Sequence, residues 1–218
     1  SEVPEYYQRN FHFQTDGYLS EESADLYEYQ VEILFSGAAD AMRRLLLPDL
    51  RARFGTGSGE GLHFVEVACG TGRLSHFVKM MYPEARISLI DLSDAYLRKA
   101  REELRGLKKL DFMQGKAEDV PLRNVSVDAV YSCFLFHELP LEVRHQVLTE
   151  GMRLLKPGGF YGFVDSIQRG DKPELDWALE QFPVDFHEPF FKNYSLHKMD
   201  EIMGNVCFAE INTRMGFF

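Results

Sequence analysis

Little in this chain suits a disulfide scaffold, a membrane span or a nucleic-acid backbone. Its 3 cysteines, Cys69, Cys133 and Cys207, are odd in number and sit in apolar or turn contexts, which is not the pattern of a stapled extracellular fold. A cytoplasmic or other reducing compartment is therefore expected, and the opening on Ser1 rather than Met leaves import into an organelle open. No run of about 18 apolar residues occurs, so no membrane span is expected. Positive charge is scarce: 24 Lys and Arg stand against 34 Asp and Glu, a formal net charge of -10. That balance argues against nucleic acid as a partner, because tracking a phosphate backbone needs a clustered basic surface. The densest basic stretch, Arg98 to Lys109, is interleaved with Glu102 and Glu103 at helical spacing and reads as a solvated helix face. The cysteines and the 7 histidines lack ligand spacings such as C-x-x-C, so no metal is expected. Repeats and low-complexity tracts are absent, and nothing bears on oligomeric state.

What remains is an ordinary globular composition, 45% hydrophobic and 13% aromatic over 218 residues, enough for one compact domain with an appendage. Residues 1–60 read as an N-terminal helical cap. Ser20 is a good N-cap for a helix whose apolar positions are Leu26, Tyr29, Ile33 and Leu34. A second helical stretch, Ala38 to Leu47, ends at Pro48, and the glycine-rich residues 55–61 read as a flexible linker. Residues 61–218 form the core. Strands are expected at Leu62–Ala68, Arg86–Asp91, Leu110–Gln114, Val127–Cys133 and Phe160–Asp165. Helices are expected at Arg73–Met81, Asp94–Leu107 and Leu141–Leu155, the last stopped by Pro157-Gly158-Gly159. This alternation predicts an α/β fold with a doubly wound, mostly parallel sheet. Ser195–Met203 reads as a further helix and Val206–Arg214 as a further strand. Between them and strand five lies an insert at about residues 167–194, dense in Phe, Asp, Glu and Pro and expected to lie outside regular elements.

The strongest local signal is His63-Phe64-Val65-Glu66-Val67-Ala68-Cys69-Gly70-Thr71-Gly72-Arg73, an apolar strand, a glycine turn and a helix start. Gly70 and Gly72 allow close approach of a ligand to backbone, and the helix presents unpaired N–H groups toward it. The next strand closes on Asp91, where a carboxylate reaches the two hydroxyls of a ribose in this kind of fold. Ser75 occupies the position where a dinucleotide-binding loop has its third glycine, and no G-x-x-x-x-G-K-[ST] loop exists. A nucleoside without a pyrophosphate is thereby favoured.

Residues 62–166 resemble the class I S-adenosylmethionine-dependent methyltransferases, especially the branch that holds the quinone-biosynthesis methyltransferases and their small-molecule relatives. Glu66-Val67-Ala68-Cys69-Gly70-Thr71-Gly72 resembles the first motif of that family, with Ala68 in place of its usual first glycine. Ile90-Asp91-Leu92-Ser93 resembles the second, and Lys116-Ala117-Glu118-Asp119-Val120-Pro121-Leu122 the adenine-binding segment, with Lys116 where an acidic residue is common. Val127-Asp128-Ala129-Val130-Tyr131-Ser132 is similar to strand four, and Leu154-Leu155-Lys156-Pro157-Gly158-Gly159 to the entry into strand five. The resemblance implies S-adenosyl-L-methionine as cofactor and S-adenosyl-L-homocysteine as product. Glu66, Ala68 and Gly70 would line its methionine part, with Cys69 and Gly72 in the same turn. Asp91 would take the ribose hydroxyls and Leu92 would pack on the adenine. Ala117 and Glu118 would meet the adenine edge, and Ser132 and Cys133 would lie under the sulfonium.

Methyl transfer is an in-line displacement in which the protein supplies orientation and electrostatics, with a base needed only where the acceptor must lose a proton. His137, just beyond strand four at the carboxyl edge of the sheet, is the first candidate base; its alternative role is a hydrogen-bonded cap of the next helix. The insert offers His187 as a second candidate and Phe186, Glu188, Phe190 and Tyr194 as acceptor contacts, or else forms a lid packed by its own rings. Gln14 and Tyr18, in the segment before the core, are candidates to reach the cofactor or acceptor. The expected function is methyl transfer to a small-molecule acceptor in a pocket covered by the N-terminal segment and the insert. A non-catalytic relative with a scaffolding or sensing role is the alternative.

Overall fold

The computed structural model describes residues 3–9 and 17–216. Its sheet contains β1 (His63–Val67), β2 (Arg86–Asp91), β3 (Leu110–Gln114), β4 (Val127–Cys133) and β5 (Leu155–Val164). The order is β3-β2-β1-β4-β5 and every pair is parallel. The chain winds outward from β1 through β2 to β3, then returns to the other side of β1 for β4 and β5. The reversal places a crevice beyond the carboxyl ends of β1 and β4, where open α/β sheets bind ligands.

Alternate residues of each strand serve opposite faces, as the period of two requires. Phe64, Ile87, Leu89, Ala129 and Tyr131 join one core with Leu50 of α3 (Leu47–Phe54), Leu74 and Val78 of α4 (Arg73–Met81) and Leu97 of α5 (Asp94–Glu103). Val65, Val67, Ile90 and Val130 face the other core, with Val147 and Leu148 of α6 (Leu141–Leu154) and Ile202 and Met203 of α9 (Met199–Asn205). Helices thus cover both faces, so β1 and β2 read as nearly continuous apolar runs.

Several expected boundaries move. Strand five begins at Leu155, not Phe160, and its pairing jumps from Val127↔Leu155 to Ala129↔Phe160, so Pro157-Gly158-Gly159 forms a bulge inside the strand. The helix expected to reach Leu107 ends at Glu103, and Gly106 turns the chain at φ 97°. Pro48 does not end a helix: it occupies the first turn of α3, where its missing N–H costs nothing. Residues 55–61 are anchored rather than flexible, since a Cβ on buried Gly59 would sit 2.8 Å from Cβ of Tyr82, and Tyr82 donates to the carbonyls of Leu50 (3.1 Å) and Gly55 (2.9 Å). No strand forms over 206–214. Val206, Phe208 and Ile211 lean on the core at a spacing that breaks the alternation of two, and the Phe208 ring packs 5.4 Å from Tyr161. The insert is helical, with α7 (Asp176–Asp185) and α8 (Phe191–Leu196). Phe182 and Phe186, one turn apart, pack with their rings tilted at 4.7 Å, and Phe182 meets Phe191 at the same distance.

α1 (Glu21–Leu34) begins at Ser20, whose hydroxyl accepts from the Ser23 N–H at 3.1 Å. Its expected apolar face points outward, with Tyr29 74% and Ile33 77% exposed, while Ala24, Tyr27 and Val31 turn inward. Packing of Ala24 and Tyr27 against Tyr18, Ala95 and Tyr96 accompanies that rotation, and at the surface Arg98 meets Glu21 at 2.9 Å and Lys99 meets Asp25 at 2.9 Å. The basic face of α5 is therefore a dock for the acidic start of α1. Among the described residues no helix is long and apolar enough to cross a membrane.

Candidate functional site

The turn after β1 is built around Asp91. Its Oδ2 accepts from the Gly70 N–H and its Oδ1 from the Ser93 N–H, both at 2.8 Å. Burial pushes this carboxyl up to about 6, against the pull of those two donors. Ala68 at φ 51° and Gly70 at φ 53° bend the chain away from β1 so that their backbone borders the crevice. Gly72, at φ 77°, caps α4 on the far side: a Cβ there would lie 2.7 Å from Leu104 Cδ1.

A partly open cleft lies at this switch point. Ala68, Gly70, Asp91, Leu92, Ala117, Glu118, Cys133 and Tyr18 line it, all of them candidates from the sequence. Four other candidates lie just behind its wall. Glu66 is buried with its Oε2 held by the N–H (3.1 Å) and hydroxyl of Ser75, and burial raises its carboxyl to about 8 despite those donors. Cys69 belongs to the core around α4, Gly72 packs on α5, and Ser132 is fully buried with an unpartnered hydroxyl among the described residues. Burial raises the thiols of Cys69 and Cys133, so neither is an activated nucleophile.

His137 is buried one turn beyond β4 and does not line the cleft. Its Nδ1 lies 2.6 Å from Asp165 Oδ1, and its Nε2 lies 3.8 Å from Glu138 and 3.9 Å from Glu188. Burial pulls the imidazole pKa down, but Asp165, Glu188 and Glu138 outweigh it and push it up to about 10. At neutral pH this is an imidazolium, a group that pairs carboxylates rather than taking a proton. The ligand atoms of His137, Glu138 and Glu188 lie within 4.8 Å of one another, a convergence that linear spacing does not reveal.

The insert does not supply the cleft wall expected of it. His187 is exposed at φ 51°, Phe186 packs on Phe182, and Tyr194 is buried with its hydroxyl on the Ser166 carbonyl at 2.6 Å. None of these lines the cleft; Phe190 packs beside Tyr18 and Tyr96, and Glu188 lies 3.9 Å from His137 Nε2. Gln14 lies outside the described residues. Arg144 ties the insert down: fully buried, it donates to the carbonyls of Phe136 (2.8 Å) and Phe190 (3.1 Å) and to Asn193 Oδ1 (2.9 Å).

Sequence reasoning missed Glu138, Tyr6, Tyr7, Tyr27, Tyr96, Phe134 and Lys116 as lining groups, and Asp165 as the partner of His137. The strand-end rule that located Asp91 also applies to Asp165, which follows β5. Tyr6 donates to Glu118 Oε1 at 2.6 Å and Tyr18 to Glu138 Oε1 at 2.5 Å, so residues ahead of the core close two sides of the cleft.

The fold is Rossmann-like, and its cleft opens at the switch point of the sheet. Lys116 is the sole cationic side chain among the described lining residues, which disfavours a diphosphate. Residues 64–159 match a family profile described as a methyltransferase domain. Over 164 residues the chain is 30% identical to a fatty-acid O-methyltransferase of Mycolicibacterium smegmatis, covering 75% of this chain and 53% of that protein. It is 29% identical over 159 residues to a ubiquinone/menaquinone biosynthesis C-methyltransferase of Methylobacterium nodulans, covering 72% and 60%. The chain thus spans between half and two thirds of these relatives. A putative S-adenosyl-L-methionine-dependent methyltransferase from Methanococcus maripaludis shares the fold at a TM-score of 0.63, with 16% identity over 95% of this chain and 93% of that one. Residues 64–159 are thus similar to methyltransferase domains, and the chain shares the fold of a putative S-adenosyl-L-methionine-dependent methyltransferase.

The residues present fit that cofactor. The cleft is acidic, which suits a sulfonium; the Asp91 carboxylate lines it at the end of β2, where it would meet a ribose; and the buried Oε2 of Glu118 accepts no hydrogen bond from any described residue. Leu92, Ala117 and Leu139 supply apolar surface beside it for a flat base.

Proposed function

We propose that this protein transfers a methyl group from S-adenosyl-L-methionine to a small-molecule acceptor, inside a cleft that its own N-terminal segment covers. The observation that carries this reading is the Asp91 arrangement. A buried carboxylate accepts from the Gly70 N–H of the glycine turn and from the Ser93 N–H beyond β2, and lines the cleft. In this reading Asp91 takes the ribose hydroxyls, Glu118 and the Ala117 backbone meet the adenine, and Ala68 and Gly70 border the methionine part. Glu66 acts from behind, fixing Ser75 and hence the first turn of α4.

When bound, the cofactor supplies an electrophilic methyl group. The protein's part is to orient the acceptor beside Cys133 and Phe134, exclude water with Tyr6, Tyr7 and Tyr18, and set the local charge with Glu138. The insert acts indirectly: Arg144 and His137 hold it against the turn that carries Glu138.

Thermal unfolding and limited proteolysis test this together. S-adenosyl-L-homocysteine at a hundred times its dissociation constant should stabilise the fold by about 2.7 kcal/mol. It should also slow cleavage within residues 1–40, whereas NAD should do neither. Unchanged unfolding and cleavage would refute the reading.

A further inference from the structure

The glycine turn is gripped on both sides of Gly72 by the helices ahead of the core. Thr71, 3% exposed, donates its hydroxyl to Glu28 of α1. Arg73, the first residue of α4, meets Asp40 of α2 (Ala39–Arg43) as a fork, Nε to Oδ1 at 3.0 Å and Nη2 to Oδ2 at 2.5 Å. Arg43, also 3% exposed, joins the two carboxylates: its Nη1 lies 3.1 Å from Glu28 Oε2 and donates to Asp40 Oδ1 at 3.2 Å. The contacts run unbroken from Thr71 through Glu28, Arg43 and Asp40 to Arg73. The bonded Arg73, with Arg43 beside it, holds the Asp40 carboxyl below its ordinary range.

The same arginine reaches the cleft wall beyond β4. Its guanidinium carbon stands 5.9 Å from the ring centroid of Phe134, and Phe35, at the end of α1, stacks on that ring at 5.4 Å. Phe134 lines the cleft and holds a left-handed backbone at φ 57°, as Ala68 does at φ 51° after β1. Such conformations cost on the order of 1–3 kcal/mol each and persist where the surroundings over-determine them. Here α1 and α2 constrain the turn and the wall together.

We propose that Arg43 is a positioning residue of this site. Through Glu28 it sets Thr71 and the glycine turn, and through the face of its guanidinium it sets Phe134, so the α1–α2 pair fixes the spacing between the turn and the wall beyond β4. The proposal rests on the methyl-transfer reading above and deepens it: the two helices belong to the cofactor site as well as covering it.

Thr71→Val removes one hydroxyl and leaves the contacts among Glu28, Arg43 and Asp40 in place, so it tests the link without stranding a buried charge. In the ligand-free chain, Thr71→Val should speed hydrogen exchange about fivefold in the peptides from α2 and in the peptide carrying Phe134, to which Thr71 is linked through Glu28 and Arg43. Thr71→Ser, which keeps the hydroxyl, should restore most of the protection. In calorimetry with S-adenosyl-L-homocysteine, Thr71→Val and Arg43→Met should each weaken binding about fivefold, and the double variant should be no more than about twofold worse than the poorer single one, because both cut one linkage. Arg43→Lys, which keeps the charge without the planar group, replaces Arg43→Met if that variant does not fold. Exchange rates unchanged in those peptides, affinities unmoved by the single variants, or losses that multiply in the double variant would overturn the proposal. Failure of S-adenosyl-L-homocysteine to bind the wild-type chain would instead overturn the methyl-transfer reading, and the exchange rates would still decide whether Arg43 links turn and wall.

Discussion

Glu66→Gln isolates what a buried carboxyl does to this fold. Glu66 is 2% exposed and its pKa is raised from 4.5 to about 8, burial outweighing the Ser75 donors. In the unfolded chain the group ionises near 4.5, so folding at neutral pH takes up a proton. Its stabilising contribution is fully present below pH 4.5 and is lost as pH rises through 8. At 1.36 kcal/mol per pH unit the loss accumulated by pH 7.5 approaches roughly 4 kcal/mol, and relaxation of the site brings a realistic figure to about 2–4 kcal/mol. Glutamine keeps an acceptor for the Ser75 N–H and hydroxyl and cannot ionise. Urea unfolding of the cofactor-free protein should therefore show Glu66→Gln more stable than wild type by about 2 kcal/mol or more at pH 8, and within about 1 kcal/mol of it at pH 5. The same difference at both pH values, or a variant less stable at pH 8, would refute the reasoning.

Ala68 holds a left-handed backbone at φ 51° where a side chain is unfavourable, so Ala68→Gly should raise stability by up to about 1 kcal/mol after the extra glycine entropy is subtracted; a drop of that size in thermal unfolding would contradict it. Arg144→Ala strands two carbonyls and Asn193 in a buried site, costing about 3 kcal/mol or more, and should speed protease cleavage within residues 167–190. With His137 protonated among its carboxylates, EDTA should leave both stability and cofactor binding unchanged. Chelator sensitivity reversed by added zinc would instead place a cation among His137, Glu138 and Glu188.

The sheet was legible because its inner strands β1, β2 and β4 are largely buried on both faces and end at turns with their own chemistry. Asp91 and the glycine turn follow from that, since their positions depend only on strand ends. What depends on distant contacts was not legible. The rotation of α1 depends on its packing against Ala95 and Tyr96 of another helix, so its apolar stripe pointed to the wrong face. His137 was rightly placed at the carboxyl edge, but its protonation depends on Asp165 and Glu188, far along the chain. The insert's rings carried a helical spacing at Phe182 and Phe186 that its prolines and acidic residues obscured.

The central claim is that the cleft beside Asp91 is an S-adenosyl-L-methionine site. Calorimetric titration with S-adenosyl-L-methionine, S-adenosyl-L-homocysteine and NAD, repeated on Asp91→Ala, tests it most directly. Removing a buried carboxylate proposed to hold the ribose hydroxyls should weaken both sulfur nucleosides by about 1.5–3 kcal/mol, tenfold or more, with NAD failing to bind either protein. Binding of NAD alone, or sulfur-nucleoside affinities that Asp91→Ala leaves unchanged, would contradict the account.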